Sequence, residues 1–266
     1  MSSLQIARVA LDLPLRRLFD YRAPDGQPLS PTDVGYRVRV PFGTQRKVGI
    51  LVELPATSEV SLAQLRPIDC VLRDLPPLPT AWFRLTEFCA AYYHAPLGQV
   101  MLSTLPAGLR ATTAVKPRQL RKAPLAGSAQ QAPPLTAEQQ ASLAAITAAA
   151  GFHAYLLHGV TGSGKTEVYL RLIERALAGG RQSLLLVPEI NLTPQLEGRV
   201  AARFPSAGMV SLHSELGEAA RRRNWQAALT GEARIVLGTR LAIFTPLPEL
   251  GLIVVDEEHD ASFKQQ

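Results

Sequence analysis

The sequence predicts an α/β protein: a small β-rich N-terminal domain, and from Leu135 onward a lobe built on a parallel sheet with a phosphate-binding loop. Three observations predict it. The segment HGVTGSGKT, His158–Thr166, fits G-x-x-x-x-G-K-[ST] at Gly159, Gly164, Lys165 and Thr166. Beyond Leu135, apolar runs of strand length alternate with segments of helical periodicity, the pattern of right-handed crossovers and a parallel sheet. Ahead of Pro76, short alternating runs are separated by Pro and Gly turns, the pattern of small antiparallel pairings.

The loop motif sits in the context it requires. Tyr155, Leu156 and Leu157 read as a short buried strand before it. Glu167 to Ala178 carries apolar residues at helical spacing after it, and Gly179-Gly180 ends that helix. The residue types follow from the chemistry. Glycines let backbone N–H groups turn inward around a phosphate, and the helix start adds partial positive charge. Lys165 is long enough to reach terminal phosphates, and the Thr166 hydroxyl is a Mg²⁺ ligand in such loops.

Along the N-terminal part, residues 4–11 alternate as a strand that Pro14 ends. Tyr36–Val40 alternates strictly, with Val38 and Val40 on one face and Arg37 and Arg39 on the other, and Pro41-Phe42-Gly43 is expected to break it. Arg37 and Arg39 make a face able to contact nucleic-acid phosphates, although a charged alternation is more often a plain solvated face. Lys47–Leu54 follows at hairpin distance. After Pro76–Pro79, Ala81–His94 reads as a helix with Trp82, Leu85, Phe88, Cys89 and Tyr92 as its apolar stripe, a core stripe rather than a base-stacking platform. Leu97–Leu105 is a second short helix. Residues 111–134 read as a linker: Ala, Gly, Ser, Gln and Pro dominate, with no apolar period.

In the second part, Thr136 caps a helix running to about Ala150. Strands are expected at Ser183–Val187, Met209–Leu212, Ala233–Leu237 and Leu252–Val255, and helices at Pro194–Phe204 and Glu218–Leu229. The last strand runs into Asp256-Glu257-Glu258-His259. Ligands of such sheets bind at the carboxyl ends of the strands. There Asp256 is placed to hold Mg²⁺ and Glu257 to orient or deprotonate an attacking water. An acidic strand end alone is weak evidence, and gains force from the phosphate loop on the same sheet.

The composition excludes several classes. A hydrophobic share of 47% supplies a globular core, and no uncharged apolar run is long enough for a membrane-spanning helix. The first residues lack the basic-then-apolar layout of a signal peptide. Cys70 and Cys89 form no C-x-x-C pair, so no zinc site is expected, and two unpaired cysteines suit a reduced, cytoplasmic protein. Net charge is +6, but residues 1–134 hold 16 basic and 9 acidic residues and the rest 12 and 13. The excess therefore belongs to the half without the phosphate loop, which suggests an anionic partner such as nucleic acid for that half.

The stretches GVTGSGKTEVY, LVPEINLTPQ, SLHSEL, VLGTRLAIFTP and VVDEEHDASFKQQ, with LPLRRLFDY and RVRVPFG upstream, resemble in order and spacing the primosomal replication-restart helicase family, PriA or primosomal protein N′, of superfamily 2. The resemblance covers residues 1–110 and 135–266. It implies a 3′-end DNA-binding domain over 1–110 and the first lobe of a RecA-like motor over 135–266, the lobe being incomplete. It implies ATP and Mg²⁺ as cofactors, with Gln139 reading adenine and Gly162, Ser163, Gly164, Lys165 and Thr166 holding phosphates. Pro188, Glu189, Gln195, Thr239 and Arg240 would line a DNA-strand track, and His259 would couple nucleotide state to DNA. Phe19, Asp20 and Gly43 match residues that pocket the 3′ end of a nascent strand, and Arg66 stands where the family places a lysine. The partners implied are DNA forks, D-loops and nascent 3′ ends, single-strand-binding protein and other primosome proteins.

Two departures set further expectations. The family's winged-helix domain has no room between the two parts, where only the linker lies. The second motor lobe with its arginine finger and the cysteine-rich zinc module are absent from these 266 residues. An arginine finger contributes ~10³–10⁵ in turnover in comparable enzymes. The polypeptide by itself is therefore expected to bind ATP and DNA without unwinding. A fork-binding module with an idle motor lobe is the alternative. A small phosphate-loop kinase is disfavoured, because nothing resembles a lid or acceptor domain.

Overall fold

In the computed structural model, residues 5–112, 132–160 and 162–264 are described. The expected linker at 111–134 lies mostly outside them, as do its cations Lys116, Arg118, Arg121 and Lys122. The chain forms two compact units that do not follow its linear order. Among the described residues, the first holds 5–112 with 215–230 and 244–248, and the second holds 132–160, 162–214, 231–243 and 249–264.

The first unit is built on an antiparallel sheet of β1 (Ile6–Leu11), β2 (Phe19–Arg22), β3 (Arg37–Phe42), β4 (Gln45–Glu53) and β5 (Cys70–Leu72), in the order β2-β1-β4-β3-β5. The tightest element is the β3–β4 hairpin, whose ladder runs from Arg37↔Ile50 to Phe42↔Gln45. Two residues, Gly43 and Thr44, make the turn, and Gly43 has φ +60°, as a two-residue hairpin turn demands. Pro41 does not break β3 as the sequence suggested; it pairs across from Arg46. The other neighbour, β5, covers only Arg37–Arg39, so Pro41 sits at an edge where a missing N–H is tolerated.

Strand alternation sends side chains to two apolar layers. Val9, Leu11, Val38, Val40 and Leu51 join Tyr21, Leu29 and Ile68 on one side. Ala10 and Ile50 face the other layer, where α1 (Thr80–Tyr92) and α2 (Leu97–Ser103) bring Trp82, Phe83, Met101 and Leu102. Because both faces are covered, Arg37 is not a solvated phosphate contact, and that expectation is corrected. It is 5% exposed, donates two hydrogen bonds to Asp74 at 2.6 and 2.7 Å, and a third to the Leu109 carbonyl at 2.9 Å. Arg39 is half-buried, near Asp69 at 3.6 Å and the Thr112 carbonyl at 3.4 Å.

The stripe expected on α1 is also corrected. The helix buries Trp82, Phe83 and Thr86 in its first two turns, whereas Phe88 and Tyr92 are 61% and 67% exposed. Their rings stack at 5.6 Å, and Tyr93 meets Tyr92 edge-on at 4.9 Å. The first unit's core is completed by α6 (Glu218–Leu229), whose Trp225 and Leu229 pack with Leu105 and Leu109.

The second unit holds a parallel sheet of β6 (Gln182–Leu186), β7 (Met209–Leu212), β8 (Ile235–Gly238) and β9 (Leu250–Val255), in the order β7-β8-β6-β9. Its helices are α3 (Ala137–Thr147), α4 (Lys165–Ala178) and α5 (Pro194–Arg203). β6 is buried at every position, as a central parallel strand should be. Its Gln182 is satisfied by the Ala233 carbonyl at 2.8 Å and the Glu249 N–H at 3.0 Å. The amphipathic α4 buries Val168, Tyr169, Leu170 and Ile173. The strand expected at Tyr155–Leu157 is not formed. Tyr155 and Leu156 are 46% and 78% exposed, and only Leu157 reaches the core beside Tyr169 and Val187. Three apolar residues are too few for periodicity to specify a strand.

Arg37→Ala is expected to lower stability by about 3–5 kcal/mol, because the Asp74 carboxylate loses its guanidinium in a buried setting. Arg39→Ala should stay within about 1 kcal/mol. Urea titration of both variants checks this, and equal shifts would refute the assignment of Arg37 to the core.

Candidate functional site

In the second unit, the phosphate loop turns at Gly162 and Gly164, with φ +82° and +83°, so a side chain at either would be strained. A Cβ at Gly159 would stand 2.7 Å from the Ser163 hydroxyl oxygen. Gly164 caps α4, whose first residues are Lys165 and Thr166, so the start of that helix lies at the end of the loop. The Lys165 ammonium donates to the Gly159 carbonyl at 2.6 Å and the Val160 carbonyl at 3.3 Å. These are loop carbonyls that a phosphate can replace as partners.

Gln139 lies beside this loop. Thr136 and Gln139 form a capping box that starts α3. The Gln139 amide oxygen accepts from the Thr136 N–H at 3.0 Å, and its amide nitrogen donates to the Gly164 carbonyl at 3.3 Å.

A cleft of about 490 Å³ brings Gly162, Gly164, Lys165 and Thr166 together with Asp256 and Glu257. The parallel register explains the meeting: Leu186 pairs with Val255, and the Asp256 N–H donates to the Leu186 carbonyl at 2.9 Å. Asp256 accepts a hydrogen bond from the Tyr169 hydroxyl at 3.1 Å. Burial first, then the negative charge of Asp256, pushes the Tyr169 phenol well above its ordinary value. Glu257 adopts φ +48°, a left-handed conformation uncommon for a residue with a side chain and often found at functional turns. His259 is exposed and does not line the cleft.

Two further arginines line the cleft that sequence reasoning missed, Arg199 and Arg203 of α5. Their i,i+4 spacing was the available signal. Arg203 is 8% exposed and reaches Glu167 Oε1 at 3.2 Å, an oxygen that also accepts from Arg171 at 3.1 Å. A nucleoside triphosphate with its cation fits this donor set: glycine-lined backbone, Lys165, a hydroxyl and two carboxylates in one cleft. Among the described residues, no group of three or more His, Cys, Asp or Glu side chains is placed to hold a metal by itself.

The residues implied for a DNA track follow the same strand ends. Pro188 and Glu189 come after β6, and Thr239 and Arg240 after β8. Pro188 and Thr239 are buried, whereas Glu189 and Gln195 are exposed. The Thr239 N–H donates to the Leu212 carbonyl at 3.1 Å.

In the first unit, Phe19 packs edge-on against Phe42 at 5.5 Å, with the Arg17 guanidinium 5.1 Å from its ring centre. Arg66 donates to the Gly43 carbonyl at 3.0 Å. Phe19, Phe42, Gly43 and Arg66 thus gather around the turn of the hairpin. Asp20 follows Phe19 in β2 and takes the opposite direction, onto Arg8 at 2.7 Å and Ser58 at 2.7 Å. Burial alone would raise the Asp20 carboxyl, but the bonds from Arg8 and Ser58 outweigh it and hold it below its ordinary value.

The 3′ DNA-binding domain model of PriA matches residues 8–106, and the DEAD/DEAH box helicase model matches residues 136–266. Over these spans the chain thus carries a 3′ DNA-binding domain followed by a DEAD/DEAH box helicase domain. More narrowly, the chain belongs to the PriA family of replication restart proteins. It is 37% identical to replication restart protein PriA of Haemophilus influenzae, across 99% of the chain and 45% of that protein. It is 36% identical to PriA of Treponema pallidum, across 96% of the chain and 39% of that protein. Against PriA of Synechocystis, 52% of the chain aligns at 53% identity, with 16% of that protein. The chain therefore spans less than half the length of these relatives.

Asp20 contributes stability that is present above its ordinary pKa of 3.8 and lost as pH falls through its lower folded value. Wild type should lose stability on acidification below about pH 4, and Asp20→Asn should show a shallower loss over that range. Urea midpoints measured at several pH values check this; parallel curves would contradict it.

Proposed function

We infer that the chain is the N-terminal part of an ATP-dependent 3′→5′ DNA helicase that recognises stalled or abandoned replication forks and starts primosome assembly in the cytoplasm. The observation that carries the nucleotide half of this reading is the single cleft in which the phosphate loop meets the carboxylates after β9. In it, Lys165 and the first turn of α4 bind the phosphates, while Gly159, Gly162, Ser163 and Gly164 shape the loop and Gln139 faces the base. Thr166 and Asp256 are the residues that would hold Mg²⁺, which when bound neutralises phosphate charge. Glu257 accepts a proton from the attacking water. His259, Pro188, Glu189, Gln195, Thr239 and Arg240 act on the DNA side.

Residues 1–110 form the DNA-end domain and 135–266 the motor lobe, with 111–134 linking them and no winged helix between. The alignment with the Haemophilus influenzae protein runs over 337 positions. Since the chain has 266 residues, at least 71 of those positions are gaps in it. Phe19, Gly43 and Arg66 offer the ring, turn and cation for a terminal nucleotide. Asp20 takes the opposite direction from Phe19, so it recognises the 3′-hydroxyl from the other side of β2, exchanging its Ser58 or Arg8 bond for the ligand. Single-strand-binding protein and other primosome proteins are the protein partners. These 266 residues by themselves bind ATP and DNA without unwinding, because turnover of this kind draws on an arginine from a facing lobe.

Fluorescent ATP analogue titration tests the nucleotide half: Lys165→Ala should weaken binding at least about tenfold, and unchanged affinity would remove the phosphate-loop reading. Fluorescence anisotropy tests the DNA half with two forks, one ending in a leading-strand 3′-hydroxyl and one in a 3′-phosphate. Tighter binding of the hydroxyl fork, lost in Asp20→Ala, is expected. Equal binding that falls steeply with salt would leave only phosphate contacts and end the end-recognition reading.

A further inference from the structure

We propose that Tyr169 is a positioning residue for the cation site, fixing which oxygen of Asp256 faces the phosphate loop. The proposal rests on the nucleotide reading above and adds a residue with no place in the G-K-T or acidic motifs. The geometry begins with the ring. Tyr169 is 8% exposed and packs among Leu185, Val187, Leu237 and Val254, which come from β6, its following loop, β8 and β9. Its hydroxyl donates to Asp256 Oδ1 at 3.1 Å.

Asp256 needs such a partner. Its backbone is held by the bond to the Leu186 carbonyl, but its carboxylate stands at the edge of an open cleft. Among the described residues, Tyr169 is the side chain that bonds it, and it occupies one oxygen. That leaves Oδ2 for a cation. The phenol O–H donates to the carboxylate, so the bond holds the Asp256 side chain in one rotamer.

Tyr169 stands four residues after Lys165 and three after Thr166 on α4. One helix therefore supplies the phosphate ligand, the hydroxyl ligand and the group that orients the carboxylate from β9. Any movement of α4 that follows phosphate binding is passed to Asp256 through a rigid ring. Phosphate and cation binding become coupled through the fold as well as through their own charges.

The test uses the full-length protein and its Tyr169→Phe variant, which removes the hydroxyl and keeps the ring. A fluorescent ATP analogue is titrated in EDTA and again across a Mg²⁺ series. The expected result is unchanged affinity in EDTA, within about twofold, and a Mg²⁺ requirement raised about tenfold, the size typical of removing an outer-shell partner of a metal ligand. In an Asp256→Ala background, Tyr169→Phe should change the Mg²⁺ dependence no further. A purely structural role would instead lower the melting temperature and weaken binding equally with and without Mg²⁺, overturning the proposal. So would an unaltered Mg²⁺ requirement in a folded variant. If wild type binds the analogue in neither condition, the nucleotide reading itself fails and takes the proposal with it. Should Tyr169→Phe not fold, Asp256→Asn, which keeps an acceptor for the hydroxyl but loses the charge, gives the second measurement: its Mg²⁺ enhancement must fall at least as far as that expected for Tyr169→Phe, and a smaller loss overturns the proposal.

Discussion

Parallel pairing of β6 with β8 and β9 is the constraint on which the second unit's chemistry depends. Leu186 is level with both Gly238 and Val255, and Leu212 is level with Gly238. Parallel strands in register end on one side of the sheet. The residues just beyond those ends, Pro188-Glu189, Thr239-Arg240 and Asp256-Glu257, therefore share an edge without any contact being needed to bring them there. The helix after the phosphate loop delivers Lys165 and Thr166 to the same edge. A one-residue slip of β9 would turn Asp256 away from the cleft, since successive side chains point to opposite faces.

The first unit is governed by a different rule, that a sheet covered on both faces cannot carry an unpaired charge on either. Arg37 illustrates it: five donors in a rigid fork meet one carboxylate and one carbonyl, and the ion pair becomes part of the packing. The less buried side chains of this sheet lie at the ends of strands and in turns. The hairpin turn at Gly43, with Phe19, Phe42 and Arg66 beside it, is such a place. Asp20 is already engaged by Arg8, which also pairs with Glu53, so its hydrogen-bonding capacity is shared before any ligand arrives.

Much of this was legible in the sequence, and the failures have physical causes. The phosphate loop, α4, β7 and α6 were readable because each is specified by its own local pattern. Gly162 and Gly164 had to be glycine for their φ angles, and the loop said so. Tyr155–Leu157 was misread because three apolar residues carry too little pattern. Phe88 and Tyr92 were misread because helical spacing gives a face but not how far along the helix the cover extends. Arg37 was misread because alternation separates two faces of a strand without telling which is wet. The Tyr169–Asp256 bond and the pairing of Arg203 with Glu167 were invisible, since they join residues 87 and 36 positions apart. Such contacts are made by topology, not by local sequence.

The inclusion of residues 215–230 in the first unit has a consequence for inheritance. Trp225 and Leu229 belong to an apolar core whose other members come from residues 10–109. A recombination event that exchanged only the stretch before residue 113 would bring in a new partner surface under an old helix. The two parts of the gene are therefore not free to drift independently: volume changes at Leu105 or Leu109 must be matched at Trp225, more than a hundred codons away.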